Sequence, residues 1–138
     1  MTIRVGETDD FATCLELRRI VFMQEQGVTE EEEIDGLDPA CQHLLASVDG
    51  RPAGTARLFL DGDTAKIGRV CVLSDFRGMG LGAALIEEAL KLASGKAAQA
   101  KLGAQLHALD FYGRLGFSAY GPVYDDAGIP HRDMVRPL

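Results

Sequence analysis

The spacing of apolar positions changes several times along this chain, and each change marks an element. Residues 2–7 alternate apolar and polar side chains as a short strand does. Asp9 or Asp10 then stands where a helix N-cap belongs, ahead of Phe11, Cys14, Leu15, Val21 and Phe22 at helical spacing, so a first helix is expected to about Glu25. Residues 43–48 and 53–60 are apolar stretches joined across Asp49-Gly50, a pair suited to the positive φ of a hairpin turn. A second turn at Asp61-Gly62-Asp63 leads into a third strand at 65–73, which makes an antiparallel meander. Leu81, Leu85, Ala89 and Leu92 return to helical spacing, with Glu87 and Lys91 four apart on the wet face and Gly95 as a stop. Residues 101–105 read as a strand and 108–115 as a helix ended by Gly116, while 117–120 and 131–135 can complete the sheet. This order predicts an α/β (α+β) fold, with a central mixed, mostly antiparallel sheet and about four helices.

Composition narrows the picture. With 138 residues, 46% apolar and 25% charged, the chain has material for a core and reads as one domain over 1–138. Residues 1–10 lack a basic and apolar leader, and nowhere do eighteen apolar residues run together. Cys14, Cys41 and Cys71 are odd in number and form no Cys-x-x-Cys pattern, so reduced thiols and a cytoplasmic location are expected, with no membrane association. The formal charge of −7 argues against a nucleic-acid partner and favours a cationic one. Much of it sits in residues 27–39, where Glu30, Glu31, Glu32, Glu33, Asp35 and Asp38 read as an acidic loop around a short helical turn. The three histidines show no metal-ligand spacing, and none of the serines lies in a Gly-x-Ser-x-Gly elbow.

The chemistry concentrates in Arg77-Gly78-Met79-Gly80-Leu81-Gly82, between the third strand and the next helix. Glycines at alternate positions let successive backbone N–H groups converge on an anion, and the positive end of the following helix dipole favours a pyrophosphate. Gly78-x-Gly80-x-x-Ala83 also satisfies the dinucleotide fingerprint, but the loop does not follow the first strand, and Lys101, Leu102 and Gly103 stand where a ribose-binding acid belongs. The Gly-Lys-Ser/Thr ending of a triphosphate loop is missing too.

Val70-Cys71-Val72-Leu73, then Arg77-x-x-Gly80-x-Gly82, then Phe111-Tyr112-x-x-x-Gly116-Phe117 resembles the GNAT acetyltransferase family in order and spacing. Val21-Phe22-x-x-Glu25-Gln26 and Gly128-Ile129-Pro130-His131 resemble its small bacterial ElaA/YjcF-like branch. The resemblance implies a GNAT acyl-CoA N-acyltransferase fold and transfer of acetyl from acetyl-CoA to a primary amine of a small molecule or peptide. It implies that Val70, Cys71 and Val72 offer backbone groups to the pantetheine arm and that Arg77, Gly78, Met79, Gly80, Leu81 and Gly82 hold the pyrophosphate. Gln105, in place of a common Asn, and Phe111 would also border the cofactor. Tyr112 would be the general acid toward the departing thiolate, since a phenol with pKa near ~10 stays protonated at neutral pH. A homodimer is compatible with the family.

Gly68 departs from the family pattern, standing where many relatives carry a Glu used as general base. Glu25, Glu33, Asp35, His43, His107 and His131 are the alternatives for that role, and Glu25, Gln26, His43, Arg69 and His131 are candidates for the acceptor wall. The same departure motivates a second reading, a regulatory module that binds acyl-CoA without turnover.

Overall fold

The computed structural model describes residues 1–138. Its seven-stranded sheet has the spatial order β1-β2-β3-β4-β5-β7-β6. The strands are β1 (Ile3–Thr8), β2 (Gln42–Val48), β3 (Arg51–Asp61), β4 (Thr64–Val72), β5 (Gln99–Gln105), β6 (Ser118–Asp126) and β7 (Ile129–Pro137). Every neighbouring pair is antiparallel except β4 and β5, which run parallel. The helices are α1 (Phe11–Arg18), α2 (Glu30–Glu33), α3 (Leu81–Ala93) and α4 (Leu109–Arg114). A mainly antiparallel sheet leaves no doubly wound crevice for a dinucleotide, so the fingerprint at Gly78 is not a Rossmann turn.

The two sheet faces are covered by different helices because β2 alternates its side chains. Leu44 and Ala46 join the main core with Leu58, Ile67, Leu85, Ile86 and Ala89, which puts α3 on that face. Leu45 packs on the other face with Leu17, Val21 and Cys71, under α1. Asp10 caps α1 by accepting from the Thr13 N–H at 3.2 Å.

The expected first helix is present over most of its length but changes winding. From Arg19 to Glu25 it widens into a π-helix, and the Gln26 N–H reaches the Val21 carbonyl at 3.1 Å, five residues back. The expected loop at 27–39 contains α2, started by a capping box in which Thr29 and Glu32 bond each other's backbone N–H. The C-terminal hairpin is much longer than expected: β6 continues past Tyr120 to Asp126, and β7 begins at Ile129 rather than His131. Gly121-Pro122 concealed it, since Pro is poorly compatible with a strand interior. Here Pro122 is tolerated because β6 is an edge strand and residues 121–123 bulge out opposite the single residue Arg132.

Two irregularities shape the centre of the sheet. Opposite Ala56 of β3, β4 carries two residues, Arg69 and Val70, and this bulge puts Arg69 at φ 52°. On its other edge β4 pairs with β5 only through Thr64, Ala65 and Lys66, after which the parallel strands separate. From Ile67 onward that edge of β4 has no partner strand.

Candidate active site

The separation of β4 and β5 opens into a cavity of about 370 Å³. Ile67, Gly68, Arg69 and Val70 line it from β4, and Leu102, Gly103 and Gln105 from β5. Phe22 and Gln26 reach it from the π-helix, Tyr112 from α4, and Tyr124, Asp126 and His131 from the hairpin. Backbone polar groups on the unpaired edge of β4 need hydrogen-bond partners if they are to be covered, so this edge suits an extended amide-bearing chain.

The glycine loop lies where β4 leads into α3. Gly78 and Gly80 have φ of +83° and +80°, and Gly80 occupies the N-cap position of α3 with no side-chain cap bond. The N–H groups at the start of α3 are therefore left for an anion. Gly82 has a different use: a Cβ there would sit 3.4 Å from the Phe111 ring. Its absence lets Phe111 close on the helix start, next to Tyr112, whose ring meets Phe111 edge-on at 5.0 Å. The cradle and the tyrosine are thus in register through one glycine contact. Arg77 is already engaged, donating to the Val72 carbonyl at 2.9 Å and pairing with Glu25 at 2.8 Å.

Tyr112 also packs edge-on against Phe117 at 6.2 Å, and burial pushes its phenol up to about 12. The group is therefore neutral across the physiological range and presents a hydrogen to whatever anion forms beside it. Full proton transfer to a thiolate of ordinary pKa, near ~8.5, is unfavourable from such a phenol unless the same burial raises the thiol.

Half of the acidic loop expected to attract a cation, Glu33, Asp35 and Asp38, is neutralised by arginines of α1 and the sheet. Arg18, with side-chain exposure of 1%, makes bonds of 2.6–3.2 Å to both carboxylate oxygens of Glu33, exposed by 2%. Arg18 also reaches Asp38 at 2.8 Å, Arg57 pairs with Asp35 and Asp38, and Arg69 donates to Glu33 at 2.7 Å. Three arginines thus balance three carboxylates. Hydrogen bonds from Arg57 hold the Asp35 carboxyl well below the usual range. For Asp38, burial alone would raise it, but bonds from Arg18 and Arg57 outweigh that and the net shift is downward.

The remaining candidates separate clearly. Gln26 and Gln105 meet in the cavity, with a 3.1 Å bond from Gln105 Nε2 to Gln26 Oε1. His107 lies near the mouth, 2.8 Å from Gln105 Oε1. His43 does not join them: it lines a second cavity with Phe11, Leu15 and Cys41, and its Nε2 lies 3.0 Å from the Asp38 carbonyl. Glu25 is held at Arg77. Gly68 borders the main cavity with open space around its Cβ position. Tyr124 and Asp126 were missed by sequence reasoning because the hairpin was expected to pause where they stand, and Gly103, inside an expected strand, because only its approach to Tyr124 calls for a glycine there. The one available signal was Asp126-Ala127-Gly128, a turn sequence between strand-like flanks.

A sheet split between parallel neighbours, an uncapped glycine-rich helix start following the split strand and a half-buried tyrosine lining the split together define an acyl-CoA-dependent N-acyltransferase. Comparison with known proteins agrees. A family model described as an acetyltransferase (GNAT) domain matches residues 19–138. The N-acetyltransferase YjcF of Bacillus subtilis is 34% identical over 122 residues, covering 87% of each chain. Among solved structures, an acyl-CoA N-acyltransferase from Pseudomonas aeruginosa is 35% identical with TM-score 0.82, covering 98% of both chains. Escherichia coli ElaA is 29% identical with TM-score 0.85, covering 98% of this chain and 99% of that one. The chain belongs to the GNAT acetyltransferase family, in the neighbourhood of ElaA and YjcF. No helix is long and apolar enough to cross a membrane.

Proposed function

We propose that the protein transfers acetyl from acetyl-CoA to a primary amine carried by a small molecule or a peptide. The observation that carries this reading is the combination of three features: the uncapped start of α3, the unpaired β4 edge from Ile67, and the cavity beside Tyr112. The backbone of Gly78 to Gly82 holds the pyrophosphate, with Arg77 fixing the loop through Val72 rather than contacting phosphate. Backbone groups of Val70, Cys71 and Val72 hold the pantetheine arm, and Phe111 and Gln105 border it. The thioester then faces Tyr112, which donates to the developing thiolate, and the acceptor enters past Gln26, Arg69 and His131. A cavity of about 370 Å³ suits a small amine or the end of a lysine-like side chain.

Three free cysteines, two of them buried, support a reducing, cytoplasmic setting for this activity. The test is calorimetric titration with acetyl-CoA and, at matched concentration, NAD, followed by measurement of CoA thiol release across an amine panel. Saturable acetyl-CoA binding, no NAD response and amine-dependent thiol release are expected. Binding without thiol release for any amine would mean a CoA-binding module instead.

A further inference from the structure

Most of the candidate bases in this protein are engaged or displaced. Glu33 accepts from Arg18 and Arg69, Asp35 from Arg57, Glu25 from Arg77, and His43 lines a different cavity. His131 is different. It sits on β7 opposite Gln105 of β5 and Tyr124 of β6, half-buried in the cavity wall.

Its Nδ1 lies 2.7 Å from the Ile129 carbonyl oxygen. A carbonyl can only accept, so Nδ1 carries the proton, and in the neutral ring Nε2 is left with a free lone pair. The ring is fixed on its face as well, stacked on Tyr124 at 5.9 Å and 23°. Tyr124 is held in turn by donating to Asp133 at 2.7 Å, in space left by Gly103, where a Cβ would overlap the Tyr124 oxygen. The contrasting case is His107, exposed and bonded only to the Gln105 amide. Charged and titratable groups around His131 are Tyr124, Asp126 and Asp133 from the hairpin, His107 beyond β5, and Glu32, Glu33 and Arg69 across the cavity.

We propose that His131 is the general base that replaces the missing carboxylate at Gly68. The inference rests on the acetyl-transfer reading above. Nε2 takes one proton from the acceptor ammonium, and the free amine attacks the acetyl carbonyl carbon. As the C–N bond forms and the C–S bond breaks, the electron pair leaves with sulfur. Tyr112 supplies the hydrogen the sulfur needs and regains one from the second N–H of the former amine. The proton on His131 passes to solvent, so the products are amide, CoA thiol and one released proton.

The experiment uses His131→Asn, whose amide nitrogen can keep the bond to Ile129 but offers no basic atom. Two probe acceptors are compared by CoA thiol release: benzylamine, protonated at neutral pH, and hydroxylamine, already unprotonated there. With benzylamine at pH 7, kcat/KM should fall by about 10²-fold, and the deficit should shrink as the pH is raised toward the amine's own deprotonation. With hydroxylamine the loss should be only a few-fold, and acetyl-CoA affinity should be unchanged. Adding Gly68→Glu to this variant, where space is open, should recover part of the benzylamine rate. Equal losses with both acceptors at every pH, or full activity of His131→Asn, would overturn the base assignment alone. Wild-type protein inert toward both acceptors would overturn the acetyl-transfer reading and this assignment with it.

Discussion

Replacing Glu33 by Gln tests whether the ion network between α1, α2 and the sheet is a main structural support. In the native protein the Glu33 carboxylate receives Arg18 through Nε and Nη2 and Arg69 through Nε, with both Arg18 and Glu33 side chains at 2% exposure or less. The amide keeps the volume but removes the charge and one acceptor, and it turns N–H groups toward guanidinium donors. Breaking a buried pair by removing one partner costs about 3–5 kcal/mol. Arg18 keeps Asp38 at 2.8 Å and Arg69 is partly exposed, so the lower end, about 3 kcal/mol, is expected. For a chain of this length that corresponds to a melting temperature lower by roughly 10 °C. The chain has no tryptophan, so urea and thermal unfolding are best followed by circular dichroism. A loss below about 1 kcal/mol would refute the reasoning, because it would mean that Arg18 finds solvent or another partner at little cost.

Other outcomes follow from single observations. Tyr112→Phe should leave acetyl-CoA affinity within about twofold while lowering kcat by about 10²-fold, read by titration and thiol release. Gly54→Ala should destabilise by about 1–3 kcal/mol in urea unfolding, because its Cβ would lie 2.8 Å from the Cys71 carbonyl, a backbone atom that cannot rotate away. Acid stability should reflect Asp35 and Asp38, whose carboxyls are held below their ordinary values by arginine. Their contribution is complete above the unfolded carboxylate range near ~3.9 and is lost as pH falls through the lower folded values, so Asp35→Asn should flatten the stability profile below about pH 4.

Elements whose signals are local could be read from the sequence. The β2–β3 hairpin follows from Asp49-Gly50, both at positive φ, and α3 follows from its apolar stripe and from Gly95. The glycine cradle was legible for the same reason, since its geometry lies within six consecutive residues. What was not legible depends on distant partners. Nothing near Glu33 in sequence indicates that Arg18 and Arg69 will neutralise it, so the acidic run read as a solvated loop. Tyr124 joins the site only because three residues of β6 bulge opposite Arg132, and Gly103 only because it must clear Tyr124. Alternation rules assume a regular ladder, and both sides of this cavity are built where the ladder breaks.

Those breaks connect the stability of the protein to its chemistry. Arg69 is not glycine, yet it sits at φ 52° at the point where β4 bulges shortly after parting from β5. A residue in that conformation costs about 1–3 kcal/mol and persists only where its surroundings over-determine it. Here the surroundings are Glu33, which holds the Arg69 guanidinium through its carboxylate and its backbone carbonyl, each at 2.7 Å. Glu33 is fixed in turn by the buried Arg18. Glu33, expected among the residues that draw in a cation, therefore acts first on the sheet, holding the bulge beside the strand edge proposed to receive the pantetheine arm. On this account a variant that releases Arg69 should weaken acetyl-CoA binding, read by calorimetric titration, in addition to any change at the acceptor entrance, although none of the residues in the network belongs to the phosphate cradle.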